Sequence, residues 1–262
     1  MDIQDKIIAI TGGGGGIGRA LAEAFSRAGA RHVVVADLDG AAAEAVARAI
    51  GGTSFTCDVA READLARVVS ETEKSVGPID LFCSNAGILP INPDPENAAS
   101  SPNGEWQRAW EVNVMAHVYA ARALLPAMIA RRSGYFLNTV SAAGLLSQIG
   151  SAAYATTKHA AIGFAENLAL THKDHGIKVS VLCPQAVGTQ MIEGKPMNGA
   201  DVDGILSAEQ VAQSAIEGLA RESFLILPHP NVAKYYAMKS ESYDRWIGGM
   251  AKLRRNAAAR TR

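Results

Sequence analysis

The sequence predicts an α/β protein with a single-domain Rossmann fold, a doubly wound sheet of seven parallel strands with helices on both faces. Seven short apolar runs, rich in β-branched residues, alternate with longer stretches whose apolar residues recur at helical spacing. Parallel strands need long crossover connections, and the helices in those crossovers cover both faces of the sheet. The 262 residues are 48% apolar, which is enough for one sizeable core.

The elements follow one another in a regular order. The predicted strands lie at residues 7–10, 33–35, 54–57, 79–83, 135–140, 179–183 and 224–227. The predicted helices lie at residues 17–29, 40–50, 61–76, 105–132, 151–173 and 207–220. We expect one Rossmann and catalytic domain at residues 1–230, with a helical tail at 231–262 packed on the same domain. Sheets of this kind bind ligands at the carboxyl ends of their strands, so the residues after each strand are the functional candidates.

Charge and cysteine content narrow the function classes. The 25 basic and 26 acidic side chains leave a formal charge of −1, which offers no electrostatic footprint for nucleic acid or an anionic membrane. Three widely spaced cysteines without a C-x-x-C pattern suggest neither a disulfide framework nor a metal site. The first residues include acids where a signal peptide has basic ones, and no apolar run approaches the roughly 20 residues of a membrane span. We therefore expect a soluble, cytoplasmic protein that binds no metal, nucleic acid or membrane.

A run of five glycines follows the first predicted strand and opens the first predicted helix. Residues 11–18 read T-G-G-G-G-G-I-G, which fits both G-x-G-x-x-G and T-G-x-x-x-G-x-G. Glycine here lets the backbone turn tightly and approach a pyrophosphate, which binds at the positive N-terminus of the helix. A flexible glycine loop is the alternative, but the strand-to-helix position favours dinucleotide binding. The residues expected against the dinucleotide are Gly12, Gly14, Gly15, Gly16 and Ile17.

Asp37 ends the second predicted strand, 19 residues after Gly18. An acid about 20 residues beyond the glycines bonds a ribose 2′-hydroxyl in dinucleotide-binding folds, and its charge would repel a 2′-phosphate. No basic residue stands at positions 38–40, so the pattern favours NAD over NADP. The alternative is that Asp37 caps the helix that begins near Gly40.

Ser141, Tyr154 and Lys158 form the candidate catalytic set. Ser141 follows the fifth predicted strand, and Tyr154 and Lys158 lie four residues apart on one face of the next helix. A free phenol has a pKa near 10, and a neighbouring ammonium lowers that pKa enough for proton exchange with an alcohol. A second Tyr-x-x-x-Lys pair, Tyr235 and Lys239, has no nucleotide loop beside it, and we expect it on one face of a surface helix.

These motifs together resemble the short-chain dehydrogenases/reductases of the shorter type, over residues 5–190. The resemblance rests on T-G-x-x-x-G-x-G, on N-A-G at residues 85–87, on the 13-residue spacing from Ser141 to Tyr154, and on Asn113. It implies that Tyr154 is the general acid/base and that Lys158 lowers its pKa and holds the nicotinamide ribose. It also implies that Ser141 positions the substrate oxygen, while Asn113 supports a water chain to Lys158.

The resemblance further implies a set of cofactor contacts and an oligomer. Besides the glycine turn and Asp37, the implied contacts are Asp58, Val59, Asn85, Ala86, Gly87, Tyr154, Lys158, Pro184, Val187 and Thr189. This chain has Pro184-Gln185 where the family commonly has Pro-Gly, and the family's glycine-rich ending is missing after residue 190. That ending often builds a tetramer, so we expect a homodimer through the helices at 112–131 and 151–173, with a tetramer as the alternative.

The residues expected around the substrate are mostly apolar. They are Ile88, Leu89, Ala142, Ala143, Leu145, Leu146, Ile149, Met191, Ile192 and Met197, with Gln148 and Gln185 as polar exceptions. The only basic residue expected near them is Lys195, in a lid at 189–206 whose three glycines suggest mobility. This composition favours an apolar secondary alcohol or its ketone as the substrate, and the resemblance implies reversible hydride transfer between it and NAD(H). An epimerase or dehydratase that retains NAD, and a non-catalytic dinucleotide sensor that binds partners through the tail, remain the alternatives.

Overall fold

The computed structural model describes residues 1–260, which form one sheet of seven parallel strands. The strands are β1 (Ile7–Thr11), β2 (His32–Asp37), β3 (Thr53–Thr56), β4 (Leu81–Ser84), β5 (Gly134–Thr139), β6 (Ile177–Leu182) and β7 (Leu225–Ile226). Their order is β3-β2-β1-β4-β5-β6-β7, and every neighbouring pair is parallel. The predicted doubly wound Rossmann fold is confirmed, and its order reverses between β1 and β4.

The helices overlap the predicted ones, with one exception. They are α1 (Gly16–Arg27), α2 (Gly40–Ile50), α3 (Glu62–Ser75), α4 (Asn103–Trp110), α5 (Ala116–Ala130), α6 (Ala152–His172), α7 (Ala208–Ala220), α8 (Asn231–Glu241) and α9 (Tyr243–Arg260). The exception is the single helix predicted at 105–132, which the structure divides by a π-helical turn at Glu111–Met115. Such turns add a residue to the helical ladder and often occur at functional sites.

The core lies on both faces of the sheet because both faces are covered by helices. Along β1, Ile8 and Ile10 belong to the cluster under α1, α2 and α7. Ile7 and Ala9 belong to the opposite cluster, together with residues of α3, α5 and α6. Alternate residues of a strand point to opposite faces, so a strand buried on both sides is continuously apolar.

The continuous helical stretch Asn103–Ala130 is long and apolar enough, by length and composition, to cross a membrane. This differs from our expectation that no segment would qualify. Half of its apolar window is buried inside the protein, where residues such as Leu124 and Met128 belong to the core. Burial in the core accounts for the apolar composition of this helix.

The C-terminal tail folds back onto the Rossmann domain as α8 and α9. In α9, Leu253 lies against Gly199, and Arg254 forms an ion pair with Glu96 at 3.1 Å. The expectation that Tyr235 and Lys239 lie on a surface helix face is wrong for Lys239, which is 8% exposed. Its ammonium is buried because two hydrogen-bond acceptors of the domain face it. The predicted tail ended at residue 262, and its last two residues lie outside the described range.

Replacing Gly18 by alanine is expected to lower the free energy of unfolding by about 1–3 kcal/mol, the usual cost of overpacking. A Cβ at Gly18 would lie 2.0 Å from the carbonyl oxygen of Gly12. The matched control is Gly15→Ala, because a Cβ there meets nothing within 4 Å, and its effect should stay within about 0.5 kcal/mol. Urea unfolding of both variants measures the difference, and equal stabilities would contradict the close approach of α1 to the turn.

Candidate active site

One cavity of about 870 Å³ opens at the carboxyl ends of the strands, where the strand order reverses. Its volume lies in the range of small-molecule sites. Of the predicted site residues, Asn113 and Leu145 do not line it, and those that do include Gly12, Gly14, Gly15, Gly16, Ile17, Asp37, Asp58, Val59, Asn85, Ala86, Gly87, Ile88, Ser141, Ala143, Gln148, Tyr154, Lys158, Pro184, Gln185, Val187, Thr189 and Met191. Residues distant in sequence therefore share one site.

The glycine turn forms a cradle against the N-terminus of α1. Gly12 and Gly16 have φ values of 63° and 49°, which glycine adopts without strain. Gly15 is the N-cap and has no side chain to bond the first N–H groups of the helix. Those free N–H groups and the open space at Gly15 are what a phosphate needs at a helix N-terminus. The turn therefore fits the pyrophosphate of a dinucleotide.

Asp37 ties this turn to the end of β2. Its carboxylate accepts hydrogen bonds from the backbone N–H groups of Gly14, at 2.9 Å, and Asp39, at 3.0 Å. Asp39, not Asp37, caps α2, because its side chain accepts from the N–H groups of Ala41 and Ala42. The alternative interpretation of Asp37 as the cap of α2 is wrong, and its carboxylate faces the cavity.

Arg108 of α4 was not predicted from the sequence. It lies in the part of the cavity lined by the predicted dinucleotide contacts, here called the dinucleotide half. Its guanidinium is 3.4 Å from the carboxylate of Asp58, and both residues line the cavity. The two positions are 50 residues apart in sequence. No local pattern could have paired them.

Asn113 lies in the π-helical turn, fully buried behind the cavity wall. Its amide oxygen accepts from the N–H of Ile88 at 2.9 Å, and its amide nitrogen donates to the carbonyl of Ile88 at 3.0 Å. The same nitrogen donates to the hydroxyl of Thr157 in α6 at 3.1 Å. Asn113 thus joins the loop after β4 to the helix that carries Tyr154 and Lys158.

Ser141, Tyr154 and Lys158 meet in the cavity, and each is at least nine-tenths buried. The Ser141 hydroxyl donates to the carbonyl of Pro184 at 3.3 Å and accepts from the N–H of Ala143 at 3.1 Å. The Lys158 ammonium donates to the carbonyl of Thr139 at 3.2 Å and lies 5.6 Å from the centre of the Tyr154 ring. A proton donor, a hydroxyl and a cation therefore share one buried wall of the cavity.

Burial shifts the proton affinities of this set. It lowers the pKa of Lys158 from 10.5 to about 8, because the ammonium loses its hydration. Burial also raises the pKa of Tyr154, and the nearby Ser141 hydroxyl offsets part of that rise. The resemblance implied that Lys158 lowers the pKa of Tyr154, whereas in this structure burial outweighs any such effect. Tyr154 is consequently a neutral phenol at neutral pH, which is the form that donates a proton.

The part of the cavity lined by the predicted substrate contacts, here called the substrate side, is mostly apolar, and one predicted residue is missing from it. Leu145 does not line it but is packed in the core, at 4% exposure. Gln148 and Gln185 supply polar groups to the wall, and the side-chain oxygen of Gln185 is buried without a hydrogen-bond partner in the described part of the chain. An unpaired buried acceptor of this kind can receive a ligand's donor.

The tail supplies wall residues that the sequence analysis did not predict. They are Tyr235, Met238, Glu241, Arg245, Trp246, Gly249, Met250 and Leu253. Besides the expected Lys195, the structure therefore brings a second cation, Arg245, to the substrate side. The amphipathic pattern of the tail could not show which surface its helices would cover.

Known proteins of similar sequence include several dehydrogenases. The sequence model of the family described as short chain dehydrogenase matches residues 6–198. A 1-deoxy-11-beta-hydroxypentalenate dehydrogenase of Streptomyces exfoliatus is 37% identical over 233 residues, covering 86% of this chain and 84% of that protein. Epidermal retinol dehydrogenase 2 of Mus musculus is 33% identical over 237 residues, covering 87% and 75%.

A solved structure also matches almost end to end. It is a short chain dehydrogenase/reductase from Burkholderia phymatum, crystallised in complex with NAD, with a TM-score of 0.83 and 27% identity. The match covers 93% of this chain and 96% of that one. The likeness extends beyond the family model's last residue into the C-terminal part of the chain.

Replacing Lys158 by methionine is expected to stabilise the ligand-free protein at neutral pH. Below about pH 8 the lysine is charged in both folded and unfolded chains, and burying that charge costs up to about 3 kcal/mol, at about 1.4 kcal/mol per pKa unit. As the pH rises from about 8 toward 10.5, the folded lysine loses its proton first and the cost disappears. Urea unfolding across this range should show a gain that shrinks with pH. The exposed Lys234→Met is the control, and a gain independent of pH would contradict the buried charge.

Proposed function

The chain belongs to the short-chain dehydrogenase family, and on that premise we propose that it is an NAD-dependent dehydrogenase of apolar secondary alcohols, acting reversibly on their ketones. The observation that carries the proposal is that Ser141, Tyr154 and Lys158 meet in one buried wall of the cavity that the glycine turn also lines. The chain is an oxidoreductase of its family; cofactor choice, substrate class and residue roles are the proposed part.

Each residue of the set has one task in the proposed reaction. Bound nicotinamide supplies the hydride acceptor or donor. Tyr154 takes the hydroxyl proton of the alcohol when it is the phenolate, and as the neutral phenol it gives that proton to the ketone oxygen in the reverse direction. The Ser141 hydroxyl holds that oxygen, and its place is fixed by Pro184 and Ala143. Lys158 places a cation beside the tyrosine.

The proposal of NAD as cofactor rests on the glycine cradle and on Asp37. The cradle leaves the first N–H groups of α1 free for a pyrophosphate. The Asp37 carboxylate uses each oxygen once with a backbone N–H, and each retains a lone pair for a ribose hydroxyl. The solved relative in complex with NAD supports the same choice.

The substrate is proposed to be apolar because the wall around it is. Relatives named for hydroxypentalenate and for retinol are dehydrogenases of hydroxylated compounds. Lys195 and Arg245 at the wall leave room for an anionic group on such a substrate. Initial rates on matched neutral and carboxylated ketones decide whether the apolar substrate is neutral or carries an anionic group. A preference for small polar ketones would overturn the assignment of an apolar substrate.

Neither alternative function gains a supporting observation. A sensor was expected to bind partners through its tail, but the tail lines the cavity.

We also propose a homodimer through α5 and α6 and a cytoplasmic location. Leu170 of α6 is 77% exposed and Trp110 of the adjoining α4 is 42% exposed, which suits a helical interface. Cys57, Cys83 and Cys183 are buried free thiols, which suits a reducing compartment.

Replacing Tyr154 by phenylalanine is expected to lower kcat/KM by about 10²–10⁴, because the proton can no longer be exchanged at the substrate oxygen. Absorbance at 340 nm with NAD and a panel of apolar alcohols measures it, with Tyr236→Phe, on the exposed side of α8, as control. Since burial raises the pKa of Tyr154, wild-type alcohol oxidation should speed up with rising pH and ketone reduction should slow down. Turnover that survives in Y154F would exclude Tyr154 as the acid/base.

Replacing Asp37 by serine is expected to raise the ratio of kcat/KM with NADP to that with NAD by about tenfold or more, equivalent to roughly 1.4 kcal/mol. The variant removes the charge that repels a 2′-phosphate. Asp39→Ser is the matched control, because serine still caps α2 and the charge at Asp37 stays. If the wild type already prefers NADP, the proposed role of Asp37 is wrong.

A further inference from the structure

Helix α8 carries the second Tyr-x-x-x-Lys pair, which the proposed chemistry does not use. Most of α8 is exposed, yet Lys239 is 8% exposed and Tyr235 is half-buried. A buried ammonium is unfavourable unless its hydrogen bonds are satisfied. The partners of this pair therefore show what α8 holds in place.

Lys239 joins two elements of the candidate site. Its ammonium donates to the carbonyl of Leu145 at 2.6 Å and to the Nε2 atom of His159 at 3.2 Å. The Nδ1 atom of His159 lies 2.8 Å from the carbonyl of Ala155, which makes Nδ1 the donor and leaves Nε2 free to accept. Leu145 follows the turn that Ser141 begins, and His159 follows Lys158 on α6. One cation thus connects the tail to both.

Tyr235 joins α8 to the lid at 189–206. Its hydroxyl donates to the carboxylate of Asp203 at 3.0 Å. The amide of Asn231, at the start of α8, donates to the same oxygen at 2.7 Å. Tyr235 and Lys239 are one helical turn apart, so they lie on the same face of α8. The lid is thereby fixed to α8, the helix that also holds the loop at residues 145–149, here called the Leu145 loop.

The loop that Lys239 holds is conformationally unfavourable. Ser147 has a φ of 146°, which non-glycine residues rarely adopt, and such a backbone persists only where its surroundings hold it. The lid contacts the same loop, since the side chain of Asn198 donates to the carbonyl of Ile149 at 3.2 Å. The loop carries Gln148 and the lid carries Met191, both in the substrate wall.

We propose that Lys239 and Tyr235 are positioning residues that set the shape of the substrate wall by fixing the Leu145 loop and the lid to α8. This inference rests on the proposed function for its kinetic consequence. Neither residue takes part in the chemical step. Their loss therefore weakens substrate binding and leaves proton transfer and cofactor binding intact.

The test compares Lys239→Met with Lys234→Met, an exposed lysine on the same helix. Lys239→Met leaves the carbonyl of the buried Leu145 and the Nε2 atom of His159 without this donor, and KM for the best apolar alcohol should rise roughly tenfold. The value of kcat and the Kd for NAD should stay within about twofold, and Lys234→Met should match the wild type. A purely structural role would lower kcat through loss of folded enzyme and leave KM unchanged; that outcome, or a KM equal to that of Lys234→Met, overturns the proposal.

Tyr235→Phe removes a single hydroxyl and decides the matter if Lys239→Met does not fold. Its KM should rise about threefold or more, in keeping with one lost hydrogen bond, and an unchanged KM overturns the role of Tyr235. Hydrogen exchange separates this inference from the proposed function, because it needs no turnover. Amides 145–149 should exchange faster in Lys239→Met, and amides 199–206 faster in Tyr235→Phe, than in Lys234→Met. Unchanged exchange in these segments overturns the proposal even if no alcohol is turned over.

Discussion

Between β1 and β4 the chain leaves the sheet toward opposite faces, with α1 on one side and α5 on the other. This divergence opens the crevice into which the residues after each strand project. The loops after β1 and β4 lie close together at this crevice. The amide nitrogen of Asn85 donates to the carbonyls of Thr11 and Gly12, at 3.1 and 3.2 Å. Gly18 of α1 packs against the same Gly12 carbonyl. Strand order and small residues thus shape the crevice before any catalytic group enters it.

Two buried ammonium groups show how context decides the use of one short motif. Lys158 and Lys239 each follow a tyrosine by four residues on a helix, and each donates to a backbone carbonyl. Lys158 faces the open cavity beside Tyr154, where a charge can act on a ligand. Lys239 makes its second contact with His159 of α6, so its ammonium bonds only protein groups and connects α8 to neighbouring segments. The Tyr-x-x-x-Lys spacing is the same in both pairs, so only the tertiary environment distinguishes a candidate acid/base pair from a pair of positioning residues.

Sequence reasoning reached the fold and the family because their signals are local. The glycine turn, the alternation of strands and helices, and the four-residue spacing of Tyr154 and Lys158 lie within short windows. The π-helical turn around Asn113 was missed because one extra residue in a helix leaves no periodic signature. Lys239 was placed on the surface because a lysine in an amphipathic helix is usually solvated, and its acceptors lie 94 and 80 residues away. Leu145 was assigned to the cavity because hydrophobicity does not distinguish a wall from a core.

The two halves of the cavity are therefore held by different kinds of contact. The dinucleotide half is formed largely by neighbouring strand ends, and a change there disturbs the sheet itself. The substrate half depends on single hydrogen bonds across long separations, such as Lys195 to Leu89, 106 residues apart, and Tyr235 to Asp203, 32 apart. Each such bond contributes only about 1 kcal/mol to stability, so its loss leaves the protein folded but reshapes the wall. Substitutions in the lid and tail can thus change which substrate fits while the reacting groups keep their places.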